Sequence, residues 1–143
     1  MNRKQELLHE LMLMEKENPT KRITAPGDAY PIMMEYYNER QENFMVMTLN
    51  GQHEPINVRI VSIGLINRTL VHPREVFYPA VKDNAATIMI AHNHPSGNRK
   101  PSQEDLEVTR RLKHASEIMG IEILDHMIIT HNGYYSFLEE GKL

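Results

Sequence analysis

The sequence predicts an α/β domain, a mixed β-sheet flanked by helices in three layers, and three observations carry that reading. Apolar runs of strand length alternate with amphipathic stretches of helical period, in the order helix, three strands, helix, strand, helix, two strands. Asn50-Gly51 and Asn132-Gly133 sit between apolar runs, as hairpin turns do. The run 86–91 has the unbroken apolar character of a strand covered on both faces.

In chain order, Leu7, Leu11 and Met14, widened by Leu8 and Met12, form the stripe of an amphipathic helix over 3–17. Asn18 and Pro19 end it and open a linker. A helix is expected over 28–38, with Pro31 in its first turn. The first core strand runs over 42–49 and returns over 55–63, where Ile56, Val58 and Ile60 alternate with Asn57 and Arg59, giving one exposed face. A third strand is expected over 68–72. Pro73 suits the first position of a helix reaching about residue 84, in which Pro79 removes the bond to Glu75 and should kink or shorten it. The buried strand 86–92 follows. Ser102 then opens a helix whose stripe is Val108, Leu112, Ala115 and Met119 and whose stop is Gly120. Strands over 121–130 and 134–138 close the chain. With 143 residues, a 27-residue N-terminal helix and linker followed by one domain over 28–143 is the natural division.

Composition narrows the function classes. An apolar content of 41% is ordinary for a globular chain and argues against disorder. Cysteine is absent, so disulfides and thiolate ligands are excluded, and any metal must sit on nitrogen and oxygen. Ten methionines and no tryptophan suit an adaptable core. No run of 18 apolar residues occurs and the first residues are charged, so the expectation is a cytoplasmic protein without a membrane span or signal peptide. A net charge of −3 disfavours nucleic-acid binding, which draws on cationic excess. Arg99, Lys100, Arg110, Arg111 and Lys113 could still form a local patch, although the last three read better as a solvated helix face.

Strand 86–92 delivers His92 and His94, two residues apart and so projecting to one side. Pro95-Ser96-Gly97 breaks the strand, and Ser102 opens the next helix with Asp105 three residues on. Two imidazoles and a carboxylate could hold one divalent cation, and three protein ligands with an open fourth position are what catalytic zinc sites present. Each fragment also has a plain reading. His-x-His is common at polar strand ends, and Ser102-x-x-Asp105 resembles a capping box in which Asp105 only complements the helix dipole.

Together, His92-x-His94-Pro95, six residues, then Ser102-x-x-Asp105 resembles the JAMM signature, the zinc motif of the JAMM/MPN+ metalloprotease superfamily. His94-Pro95-Ser96-Gly97, Leu124-Asp125-His126, Pro73-Arg74-Glu75 and Tyr135-Ser136-Phe137 are similar to its bacterial RadC-like branch, over about 28–143. The resemblance implies a cytidine-deaminase-like three-layer fold and a zinc-dependent hydrolase acting on a peptide or isopeptide bond. It implies zinc on His92, His94 and Asp105, and Ser102 as hydroxyl donor to the oxyanion. It also implies a glutamate ahead of the first core strand as general acid–base, which Glu42 before Asn43-Phe44 fits; Glu75 is the runner-up and reads better as serving a helix start.

Asp125 and His126 are either groups that orient a metal ligand or a polar pair at a strand edge. His9, His53, His72, His114 and His131 read as surface residues. RadC-like chains often carry a helix-hairpin-helix DNA-binding module ahead of this domain, and residues 1–27, with only Gly27, lack its glycine-containing hairpins. A nucleic-acid-processing or binding protein is therefore the second reading. His-Asn-His is not counted toward an HNH nuclease, and the His-x-Glu and Pro-Cys-x-x-Cys pattern of zinc deaminases is absent. An inactive scaffold is disfavoured by the intact metal motif. A homodimer is compatible with the sequence, which does not fix the oligomeric state.

Overall fold

A computed structural model describes residues 2–8, 22–67 and 69–143. Residues 3–8 are helical and leave Leu7 and Leu8 exposed; the remainder of the expected helix over 3–17, and most of the linker, lie outside the described residues. Ile23 is buried in the core, so packed chain begins ahead of residue 28.

The first helix of the domain, α1 (Pro26–Met34), starts and ends earlier than its periodicity predicts. Asp28 is the reason for the early start. Its Oδ2 accepts from Thr24 N at 2.9 Å, Thr24 Oγ1 at 2.7 Å and Ala25 N at 3.2 Å, closing the free N-terminal donors and placing Pro26 in the first turn. Pro31 therefore falls inside the helix. Past Met34, tighter bonds such as Tyr36 N to Met33 O at 3.0 Å unwind the helix into a turn.

Five strands form one mixed sheet in the order β2-β1-β3-β4-β5. β1 (Asn43–Leu49) pairs antiparallel with β2 (Pro55–Ile63) on one side and with β3 (Thr87–Asn93) on the other. β3 runs parallel to β4 (Glu122–Thr130), which turns into β5 (Gly133–Ser136). β1 and β3 are buried along their whole length, as their apolar runs predict. Helices α2 (Pro73–Lys82) and α3 (Gln103–Met119) supply the layer over one face, and α1 supplies the layer over the other. Phe44, Val46, Ile88, Ile90, Val108 and Leu112 form the core under α2 and α3; Ala29, Met33, Met45, Met47, Met89 and Met127 form the core under α1. The expected α/β three-layer arrangement is the one observed.

Two expectations fail locally. No strand forms around residues 69–72. Asn67 Oδ1 accepts from Thr69 N and Leu70 N, each at 2.9 Å, and this side-chain turn takes the backbone donors a strand would need. Ile66 and Val71 still enter the core, from a loop. In β2, register shifts opposite Phe44/Met45 and Thr48/Leu49 break the simple alternation. Ile56 and Ile60 end up exposed, while Arg59 turns in to Asp83, with Nη2 to Oδ1 at 2.8 Å. Pro79 does not end α2 at once; it is buried, and the helix continues to Lys82.

Phe44 lies opposite His92 across the β1–β3 pairing, with its ring stacked on the imidazole at 6.0 Å and its face meeting His126 at 5.7 Å. It is fully buried. Phe44→Ala should cost about 3–5 kcal/mol of stability, the usual loss for a buried phenylalanine. Urea denaturation checks this, since the midpoint should fall with little change in slope.

Candidate metal centre

β3 alternates Met89 and Ala91 toward the α1 layer with Ile88, Ile90 and His92 toward the α2–α3 layer. His94 follows one residue beyond the strand. The turn His94–Gly97, closed by Gly97 N to His94 O at 3.0 Å with Gly97 at φ 84°, sends the chain back toward α3. Ser102 caps α3: its Oγ accepts from Asp105 N at 3.0 Å and its N donates to Asp105 Oδ2 at 2.8 Å. The capping box expected from the sequence is present. It also fixes the Asp105 carboxylate at the end of β3.

The result is a triangle of donor atoms. His92 Nε2 and His94 Nε2 are 3.1 Å apart, and each is 3.2 Å from an Asp105 oxygen, Oδ1 for His92 and Oδ2 for His94. These three residues could hold a metal ion. Hydrogen-bond accounting tests the fit. His94 Nδ1 lies 2.8 Å from Asn98 O, a carbonyl that only accepts, so Nδ1 carries the proton and neutral His94 presents a bare Nε2. His92 Nδ1 lies 2.9 Å from His126 Nε2. With that bond donated by His92, the centre holds two imidazole lone pairs and a carboxylate. A cation satisfies all three at once, and the spacing is close to the edge of about 3.3 Å for a tetrahedron of ligands at 2.0–2.1 Å. The donor set fits a divalent ion with nitrogen and oxygen preferences, zinc among them.

Without an ion the same groups attract one another through protons shared between the imidazoles and the carboxylate, a protonation that a cation would replace. Burial opposes ionisation of Asp105, but His92, His94 and the Ser102 backbone outweigh it and hold the carboxyl well below the usual carboxylate range. Burial also works against charge on His94, yet Asp105 and the Asn98 carbonyl prevail and raise its pKa. His126, wholly enclosed and facing His92, is held well below the ordinary imidazole value and is neutral.

Glu42 immediately precedes β1. Its Oε2 accepts from Ile66 N at 3.0 Å and its carbonyl accepts from Gly64 N at 2.8 Å, so the carboxylate is fixed by the loop after β2. Glu42, His94, Ser102 and Asp105 all line one open cavity of about 660 Å³. Glu75 lies elsewhere, lining a separate depression with Arg59 and Tyr78. Ser102 is exposed, and because its Oγ accepts from Asp105 N, the hydroxyl proton remains available to a ligand in the cavity.

Asn93, the middle of His-Asn-His, was not singled out from the sequence and has a clear task. It points to the opposite face, accepts from Asn43 N at 2.6 Å and donates to Asn38 O at 2.6 Å and Gln41 O at 2.9 Å. The strand carrying His92 is thereby tied to the segment carrying Glu42. Asp125 and His126 separate: His126 reaches His92, whereas Asp125 accepts from Ser136 Oγ at 2.5 Å and Leu138 N at 3.0 Å and holds the C-terminal turn. Burial raises the Asp125 pKa against those bonds. Of the histidines expected at the surface, His114 and His131 are exposed, His53 and His72 are half-buried, and His9 lies outside the described residues.

Residues 23–142 match the family model described as RadC-like JAB domain. The chain belongs to the RadC-like JAB domain family. Among curated relatives of this RadC-like domain, a UPF0758 protein of Pelobacter propionicus is 48% identical over 123 residues, 85% of this chain and 54% of that protein. A UPF0758 protein of Geobacter sulfurreducens is 44% identical over 125 residues, 87% and 55% of the two chains. One from Methanospirillum hungatei is 48% identical over 124 residues, 85% and 55%. The chain spans about half the length of the curated relatives it matches. No helix among the described residues is long and apolar enough to cross a membrane.

The raised His94 pKa and the lowered Asp105 pKa give the metal-free RadC-like domain a signed pH dependence. The Asp105 contribution is present above the usual carboxylate range and is lost as pH falls through its depressed value. The His94 contribution is complete below its ordinary value of 6.5 and is lost as pH rises through the raised one. The His94 part of the melting temperature of chelator-treated protein should therefore decline as pH rises above 6.5, against the opposite slope that neutral His126 contributes below that value. Asp105→Asn should flatten that decline, because the amide offers His94 no charge.

Proposed function

We propose that this chain is a zinc-dependent hydrolase of the JAMM type that cleaves a peptide or isopeptide bond. One observation supports it above the others: His94, Asp105, Glu42 and Ser102 line a single open cavity, with His92 behind them. His92 Nε2, His94 Nε2 and Asp105 would hold the ion. Zinc bound there would supply Lewis-acid activation of water and of the scissile carbonyl. Glu42 takes the proton from the attacking water and returns it to the leaving amine, a role worth about 10²–10⁴ in rate. Ser102 Oγ–H donates to the carbonyl oxygen as negative charge develops on it.

The cavity wall favours a peptide over a nucleic acid. Beyond the proposed ligand Asp105, Glu42 and Glu104 contribute carboxylates, against Lys100 as the single lysine or arginine among the described residues of that wall, so the wall lacks the cationic excess that polyphosphate binding draws on. β2 is an edge strand with exposed Ile56, Ile60 and Ile63, and the loop that follows it brings exposed Leu65 to the cavity rim. An extended peptide can add to such an edge through backbone hydrogen bonds. Lys100, on the cavity wall, and Arg99 beside it in sequence are exposed, as are Arg110 and Arg111 on α3, which do not line the cavity.

The test uses a panel of fluorogenic peptide and isopeptide substrates with purified, metal-loaded protein. Glu42→Gln should lower turnover at least about a hundredfold, the low end of what a positioned base contributes, with metal content and melting temperature nearly unchanged. Full turnover in Glu42→Gln with loss in Glu75→Gln would reassign the base. Nanomolar duplex binding at about 150 mM salt, with no hydrolysis of any substrate, would replace this reading with the nucleic-acid one.

A further inference from the structure

Beyond the proposed ligands, one buried chain of hydrogen bonds leads from His92 back to Asp105 through two side chains that touch neither the cavity nor a ligand atom facing the triangle. Thr109 stands one turn along α3 from Asp105, and its Oγ1 donates to Asp105 O at 2.8 Å. A hydroxyl has one proton, and a carbonyl oxygen can only accept, so that proton is committed. Toward His126 Nδ1, 2.6 Å away, Thr109 Oγ1 must therefore accept, and His126 carries its proton on Nδ1. His126 is fully buried, stacked on Phe137 at 4.3 Å and met by Phe44 at 5.7 Å, and among the described residues no carboxylate bonds to its ring. A second proton would make it an unpaired buried cation, so Nε2 is bare. His126 Nε2 then accepts from His92 Nδ1 at 2.9 Å, and His92 is left with its lone pair on Nε2, among His94 and Asp105.

We infer that Thr109 and His126 are positioning residues that lock His92 into its metal-binding tautomer. The inference rests on the metal reading proposed above. Each step of the chain fixes the next, so a single hydroxyl on α3 sets which nitrogen of an imidazole on β3 is bare. The chain also closes on itself: it begins at the backbone of Asp105 and ends at a ligand facing the Asp105 carboxylate. A shift of α3 relative to the sheet would disturb two ligands together. Histidine ligands ordinarily donate their outer N–H to a carboxylate, a carbonyl or a water. Here the acceptor is a neutral imidazole, which needs a partner of its own to hold the correct tautomer, and Thr109 is that partner.

Thr109→Val and Thr109→Ser separate this role from packing, because the two accounts rank them oppositely. Valine keeps the shape and removes the hydroxyl; serine keeps the hydroxyl and removes a methyl from a residue that is 1% exposed. Zinc affinity of the full chain, measured by competition with a chromophoric chelator, should fall about 10–100-fold in Thr109→Val, the usual cost of losing an outer partner. Thr109→Ser should stay close to wild type. Wild-type affinity in Thr109→Val, or a larger loss in Thr109→Ser than in Thr109→Val, would overturn the inference. Ring-nitrogen NMR on metal-free wild-type protein gives an independent reading: His126 and His92 should both be protonated at Nδ1. Finding His126 protonated at Nε2 would overturn the inference even if Thr109→Val does not fold. Correct tautomers in a wild-type chain that binds no zinc would instead sink the metal reading and leave the chain of bonds standing.

Discussion

The structure depends on the meeting of two unshared imidazole electron pairs with one carboxylate, where β3 ends and α3 begins. Left to themselves, three such groups at 3.1–3.2 Å repel or share a proton. They are held there because each is anchored from behind. His94 is pinned to the Asn98 carbonyl, Asp105 to the Ser102 amide, and His92 to His126. Asp105 is the pivot. The bond that makes it an ordinary helix cap also aims its carboxylate at both histidines, so helix-start chemistry and ligand placement are one interaction rather than competing explanations. A cation would relieve the convergence, and the three donors are a set that could hold a metal ion.

The rest of the fold supports that convergence from two directions. Phe44 and Phe137 wall the buried imidazoles from the sheet side, stacking on His92 and His126 respectively. Asn93, on the reverse of the same strand, ties the segment before β1 to β3 and so fixes where Glu42 enters the cavity. Adjacent residues on β3 thus serve the two halves of the proposed chemistry, since successive strand residues face opposite sides. Burial alone would drive Asp105 toward its neutral form; the two histidines reverse that, and the sign of the outcome is set by proximity rather than by solvent exclusion.

Much of this was legible in the sequence because periodicity and spacing are local. The unbroken apolar run gave β3, Ser102 and Gly120 bracketed α3 to the residue, and His92-x-His94 with Ser102-x-x-Asp105 named the triangle. What escaped depends on side chains that override propensity or act across the sheet. Asn67 folds a β-like stretch into a turn, Asp28 pulls α1 forward, and register shifts in β2 turn Arg59 inward. The His92–His126 bond joins residues 34 apart on neighbouring strands, which no spacing rule reaches, so an orienting role for His126 stood only as one of two readings. A signal was nonetheless present: a lone histidine within the apolar strand 123–129 needs a buried partner, and Thr109 sits four residues after Asp105 on the buried stripe of α3.

Metal stoichiometry tests the central claim most directly. Purified, dialysed protein analysed by elemental emission should carry about one zinc per chain, and His94→Ala should carry almost none, because two remaining ligands seldom retain an ion that catalytic sites hold with three. Full zinc content in His94→Ala, or none in the wild-type chain after exposure to excess zinc, would contradict the account.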